Sequence, residues 1–107
     1  MGGDLTELAR RLDAATGSDR GLDAELARLF GAGEPAPDYT ASVDRCIDLV
    51  HAVMPGWAWH VGWKATGVLP YASLHQGDRL AEAAAPTVPL ALLKALLQAR
   101  LAAEPSG

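Results

Sequence analysis

The sequence of 107 residues contains no asparagine, so it carries no N-glycosylation acceptor. It has one cysteine, Cys46, which excludes an internal disulfide framework and any metal site built from several thiolates. Positive charge is scarce: 9 Lys and Arg stand against 13 Asp and Glu, for a net charge of −4. Nonspecific nucleic-acid binding needs clustered positive charge, so nucleic acid is not an expected partner. No apolar run approaches the ~20 residues of a membrane span; the best candidate, Val88–Leu97, contains Lys94. The start, Met1-Gly2-Gly3-Asp4, lacks the basic and apolar regions of a signal peptide. It fits the loose myristoylation pattern through Thr6, but without basic support. The expectation is a bacterial cytoplasmic protein with Cys46 reduced.

What is present is an ordinary globular balance, 50% hydrophobic and 21% charged, in a chain long enough for one domain. Residues 1–19 read as a helical extension and 20–103 as the core. Leu5, Leu8 and Leu12 fall at helical spacing, Asp4 and Glu7 have the spacing of a capping box, and Gly17 stops the helix. Ser18 or Asp19 caps a second helix, whose apolar face is Leu22, Leu26, Leu29 and Phe30 and whose end is Gly31. Residues 31–38 hold Pro35 and Pro37 and form a loop. Thr40 or Ser42 caps a third helix, Ala41–Met54. At 100° per residue Val43, Cys46, Ile47, Leu49, Val50, Val53 and Met54 share an arc of about 160°.

The period then changes to 2. Trp57, Trp59, Val61 and Trp63 alternate with Ala58, His60, Gly62 and Lys64, which is a strand signature. Ala65-Thr66-Gly67 makes a turn and Val68–Leu74 returns. Pairing Trp63 with Val68 sets Val61 opposite Pro70, Trp59 opposite Ala72 and His60 opposite Tyr71, leaving one face wholly apolar. Pro70 lacks a ladder donor, which predicts an edge or bulged second strand. Arg79–Ala85 reads as a third extended segment. A last helix, Val88–Ala103, is apolar over more than half its girth and should be covered on two sides, with a second subunit a candidate for one of them.

These segments succeed one another in a familiar order. Leu22-Asp23-Ala24-Glu25-Leu26-Ala27 is followed by Tyr39-Thr40-Ala41-Ser42-Val43-Asp44, then Pro55-Gly56-Trp57-Ala58-Trp59. Ala85-Pro86-Thr87-Val88-Pro89-Leu90-Ala91-Leu92 then opens an Ala/Leu helix ending Gln98-Ala99-Arg100. The succession resembles the phage ABA-sandwich domain family, small phage and prophage proteins, over about residues 20–102. The family's Thr-Pro step into its last helix is here one residue longer, Thr87-Val88-Pro89. The resemblance implies a compact layered α/β fold and a phage-derived setting. It implies no catalytic residues, because the family has no established activity.

The expected architecture is α+β. A small antiparallel sheet built on the hairpin is covered by the helices Ala41–Met54 and Val88–Ala103, in a layered α/β/α-type sandwich. All three indoles should lie beneath the leucine-rich helix.

No motif for chemistry emerges. Gly31-Ala32-Gly33-Glu34-Pro35-Ala36 spells G-x-G-x-x-A, but a helix precedes it and prolines interrupt it, so it reads as a loop. His51, His60 and His75 have no metal-ligand spacing, and Cys46 lies on the apolar arc as a buried thiol. No cofactor, metal or small-molecule ligand is expected. The expectation is therefore a non-catalytic protein that works by contact with a protein partner or by self-association through the last helix. The candidate surface is Trp57, Trp63, His60, Tyr71, Leu92 and Leu96, since tryptophan is enriched where interfaces concentrate their energy. One alternative is an acidic modulator of a host nucleic-acid-binding protein, suggested by Asp19, Asp23, Glu25, Glu34, Asp38, Asp44 and Asp48 in the first half. Another is a ligand binder or enzyme using His60, Tyr71 and Ser73.

Overall fold

The computed structural model describes residues 2–33, 35–63, 67 and 69–103. Its elements in chain order are α1 (Gly2–Ala14), α2 (Arg20–Phe30), a 3-10 turn (Tyr39–Ala41), α3 (Val43–Val53), β1 (Ala58–Trp63), β2 (Pro70–Gln76), β3 (Arg79–Ala84) and α4 (Val88–Ala103). The three strands form one antiparallel sheet in the order β1-β2-β3. The fold is α+β, with the sheet packed against α4.

Local chemistry sets the helix boundaries. The Asp19 carboxylate accepts from the Gly21 and Leu22 amides, and Gly31 ends α2 at φ 77°, a left-handed position that suits glycine. Ser42, rather than Thr40, caps α3 by accepting from the Arg45 amide. Thr87 caps α4 through the Leu90 amide, and Pro89 sits in the first turn, where a missing N–H costs nothing. The proposed partner of Glu7 in a capping box, the Asp4 side chain, lies outside what the structure describes, as do Glu34, Lys64, Ala65, Thr66 and Val68.

α4 is the axis of the core. One side meets β2 and β3; the other meets α1 and α3. Leu90, Leu92, Leu93, Leu96 and Leu97 are fully buried within the one chain. Both covers expected from its apolar girth therefore come from this chain, and Leu92 and Leu96 face its own interior rather than a partner. A second correction concerns α3: it packs on α4, not on the sheet. The order of layers is sheet, α4, then α1 and α3. The N-terminal helix is integral to this packing, since Leu5, Leu8 and Leu12 are all buried. Lys94 joins the layers, donating to the Ala84 carbonyl at 2.9 Å and approaching the Asp13 carboxylate at 3.3 Å.

The hairpin forms with the expected parity but a different register. Trp63 pairs with Pro70, Val61 with Ala72, Trp59 with Leu74, Gly62 with Tyr71 and His60 with Ser73, a shift of two residues. The side chains on each face are unchanged by an even shift. The reason lies in Pro70. It becomes the first residue of β2, a position where strands tolerate proline, instead of interrupting the ladder beside Val61. β2 is thus the central strand, not the edge that Pro70 seemed to require. β2 and β3 are joined by Gly77-Asp78, with Gly77 at φ 62° as the first central residue of a two-residue loop. The segment Arg79–Ala85, read as extended, is β3 with one residue beyond it.

A polar clasp fixes the helical layer. Asp23 is buried, and its carboxylate accepts from the Thr40 amide at 2.7 Å, the Thr40 hydroxyl at 2.8 Å and the Arg20 guanidinium at 2.9 Å. A buried carboxylate is tolerated because each of these donors offsets its lost hydration. The clasp pins the start of α2 to the end of the Pro/Gly loop.

Candidate functional site

The two faces of the sheet differ. Leu74, Ala72, Ala81 and Ala83 point to α4 and are buried. The opposite face carries His60, Tyr71, Ser73, His75, Leu80 and Glu82, and no helix covers it. His60 and Tyr71 are diagonal neighbours there, with ring centroids 5.8 Å apart. Ser73 is buried between its neighbours, and none of the three cavities described below is lined by His60, Tyr71 or Ser73.

The indoles divide. Trp57 precedes β1 and is 9% exposed, so it belongs to the core. Trp59 and Trp63 lie on the helix-facing side of β1, by their pairing with Leu74 and Pro70. Yet they are 38% and 62% exposed. The cause is position: α4 spans β2 and β3, and β1 projects beyond it as an edge strand. The expected burial of all three indoles beneath α4 is corrected accordingly. Leu69, 40% exposed just before β2, extends the same apolar surface. Sequence alone missed Leu69 and Trp59 as surface residues, because alternation reports which face a side chain takes but not how far a helix reaches across that face.

The main chain of β1 is also open. The Pro70 carbonyl accepts from the Ala85 amide at 3.2 Å, so the even residues of β2 turn their backbone groups toward β3. In an antiparallel ladder direction alternates residue by residue. Tyr71, Ser73 and His75 therefore bond to β1 at Gly62, His60 and Ala58. Trp59, Val61 and Trp63 are left with their N–H and C=O groups on the free edge. No charged residue lies in Ala58–Trp63. The other edge is defended: β3 carries Arg79 and Glu82, and its outward Ala84 carbonyl is already taken by Lys94. Gly62 fits this edge because the Tyr71 ring lies over it; a Cβ there would stand 3.3 Å from the ring.

The remaining candidates are accounted for by structure. Cys46 is buried, with its thiol directed at the Tyr39 carbonyl, and burial pushes its pKa up to about 12, so it stays an inert thiol. Asp19 caps α2 and Asp23 is the centre of the clasp. Glu25 pairs with Arg28 at 2.9 Å and Asp48 with Arg45 at 3.4 Å. Much of the acidic first half is thus engaged within the helical layer. Cavities of about 360 Å³ beside Trp57 and Gln98, about 310 Å³ between Phe30 and Leu49, and about 240 Å³ at Arg10 are shallow and open. Among the described residues no group of three His, Cys, Asp or Glu side chains is placed to hold a metal ion. Among the described residues no helix is long and apolar enough to cross a membrane.

Comparison with protein-family models, curated proteins and solved structures finds no match to this chain.

Proposed function

We propose that this is a non-catalytic protein that works by protein–protein contact through the free edge of β1. The observation that carries the reading is the coincidence of three features on one short strand: exposed indoles at Trp59 and Trp63, outward backbone groups with no partner among the described residues, and no Asp, Glu, Lys or Arg. Strand addition at such an edge gives affinity through the main chain and selectivity through the alternating side chains. Of the residues named from sequence, Trp63 stays in this surface, with Tyr71 and His60 on its reverse side. Trp57, Leu92 and Leu96 serve the core. The phage or prophage setting rests on the family resemblance alone. That resemblance is carried most strongly by the Tyr39-Thr40-Ala41-Ser42 helix start and the Gly56-Trp57 strand start, and it supports a fold more than an activity.

The test is co-purification from the native cell. The chain is compared with Trp59→Glu/Trp63→Glu and with Leu80→Glu, whose parent leucine is 67% exposed on the other edge. The expected result is a set of bound proteins kept by the wild type and Leu80→Glu but lost by the double variant. An identical set for all three, or neither another protein nor a second copy of the chain bound by any, contradicts the reading.

A further inference from the structure

We infer that the partner of the β1 edge is a second copy of this chain, paired antiparallel about a two-fold axis through Val61. This rests on the reading that β1 is the contact strand and adds to it a partner and a register. The residues with outward backbone groups are Trp59, Val61 and Trp63, and they are spaced symmetrically about Val61. Antiparallel pairing of two copies must keep indole-bearing faces together, so odd residues meet odd residues. The one register that uses all three outward residues sets Val61 against the partner's Val61, and each Trp59 against the partner's Trp63. Each such pair exchanges both backbone bonds, for about six ladder hydrogen bonds across the contact. The two three-stranded sheets then become one, in the order β3-β2-β1-β1-β2-β3.

The side chains suit the same register. Two cross-strand indole pairs flank the axis on the α4 side, an arrangement favoured for aromatic neighbours. On the reverse face His60 meets the partner's Gly62, which offers no side chain to clash with it. The contact strand brings no Asp, Glu, Lys or Arg into Ala58–Trp63, so no such like-charge pair is created there, although each copy carries a net charge of −4. The assembly closes as a dimer because each copy spends the undefended edge of its described sheet; the outer β3 edges keep Arg79, Glu82 and the Lys94-bound carbonyl.

The area sets the size class of the contact. The exposed fractions of Trp59 and Trp63, 38% and 62%, sum to one whole tryptophan per copy, or roughly 150–250 Å². In two copies these rings offer roughly 300–500 Å², and Leu69 and the strand edges add to it, which places the contact at the small, weak end of specific interfaces. Area does not fix affinity, so association is to be sought across a window on the order of 10–100 μM.

The experiment is sedimentation equilibrium of the full chain up to about ten times that range, with a cross-linking arm. The expected result is a mass rising toward twice the monomer and no further, a dimer little weakened by salt, and a monomer throughout for Trp59→Glu/Trp63→Glu. Because Cys46 is buried, Val61→Cys supplies the reactive thiol. A short bis-maleimide should link copies of that variant and should not link Leu80→Cys. A monomer at every concentration overturns the proposal, as does a dimer indifferent to the double variant or linked equally at position 80. A monomeric chain whose co-purifying proteins still depend on Trp59 and Trp63 overturns self-pairing alone and leaves the contact reading standing.

Discussion

The two edges of the sheet have nearly the same length and opposite characters. β3 lies under α4, carries Arg79 and Glu82, and has its Ala84 carbonyl bound by Lys94. β1 lies beyond α4, carries no charge, and exposes two indoles beside its free backbone groups. A free edge invites pairing, and proteins that do not use one blunt it with charge, proline or a covering element. The contrast teaches that the reach of one helix decides which half of an apolar sheet face becomes core and which remains available for contact.

The largest effect separating the two sides is on stability. Leu96→Ala, at a fully buried site between sheet and helices, should cost ~2–5 kcal/mol in denaturant unfolding. Trp63→Ala, a far larger truncation, should cost less than ~1 kcal/mol, because that ring is mostly in water already in the monomer. Equal losses would erase the distinction between covered and uncovered strands.

The covered layer has its own pH signature at Cys46. Its thiol is held well above the ordinary value of 9.0, at about 12, chiefly by burial and then by the charges of Asp23 and Asp38. The native state therefore keeps the proton more tightly than the unfolded chain. The associated stability is complete below about pH 9 and falls as pH rises from 9 toward 12, by up to about 1.4 kcal/mol per unit. Cys46→Ala should lose this part of the slope, read from denaturant midpoints across the window. A slope unchanged by the substitution would place the thiol in a wetter environment than the fold requires.

The smallest effect sharpens the comparison at β3. Lys94→Met removes the donor on the Ala84 carbonyl and should cost ~1–2 kcal/mol, since Lys94 is only partly exposed. Combined with Arg79→Thr and Glu82→Val it strips the β3 edge of its defences. Sedimentation should then show species larger than a dimer, where the parent stops at two copies. If the stripped chain assembles no further, charge on β3 is not what closes its edge.

Much of this fold is legible in the sequence, for reasons specific to each element. The α2 start is legible because Asp19 is a cap with amides waiting two and three residues on. The faces of the hairpin are legible because period 2 survives any even shift, so Trp59, Val61 and Trp63 share a side in either register. The register itself is not, because it depends on placing Pro70 at the first residue of β2, which the alternation does not report. The double cover of α4 is readable from its apolar girth, but its source is not: that α1 and α3 supply the second side is a fact of chain path. For the same reason the candidate surface drawn from sequence mixed Leu92 and Leu96, which the chain buries itself, with Trp63, which it leaves out.

Amide hydrogen exchange read residue by residue along β1, at protein concentrations well below and well above about 100 μM, tests the central claim most directly. At low concentration the His60 and Gly62 amides, bonded to β2, should exchange slowly, while Trp59, Val61 and Trp63 exchange fast; at high concentration those three should become protected together. Protection of all five amides at every concentration, or fast exchange of the odd three however concentrated the protein, would contradict the account.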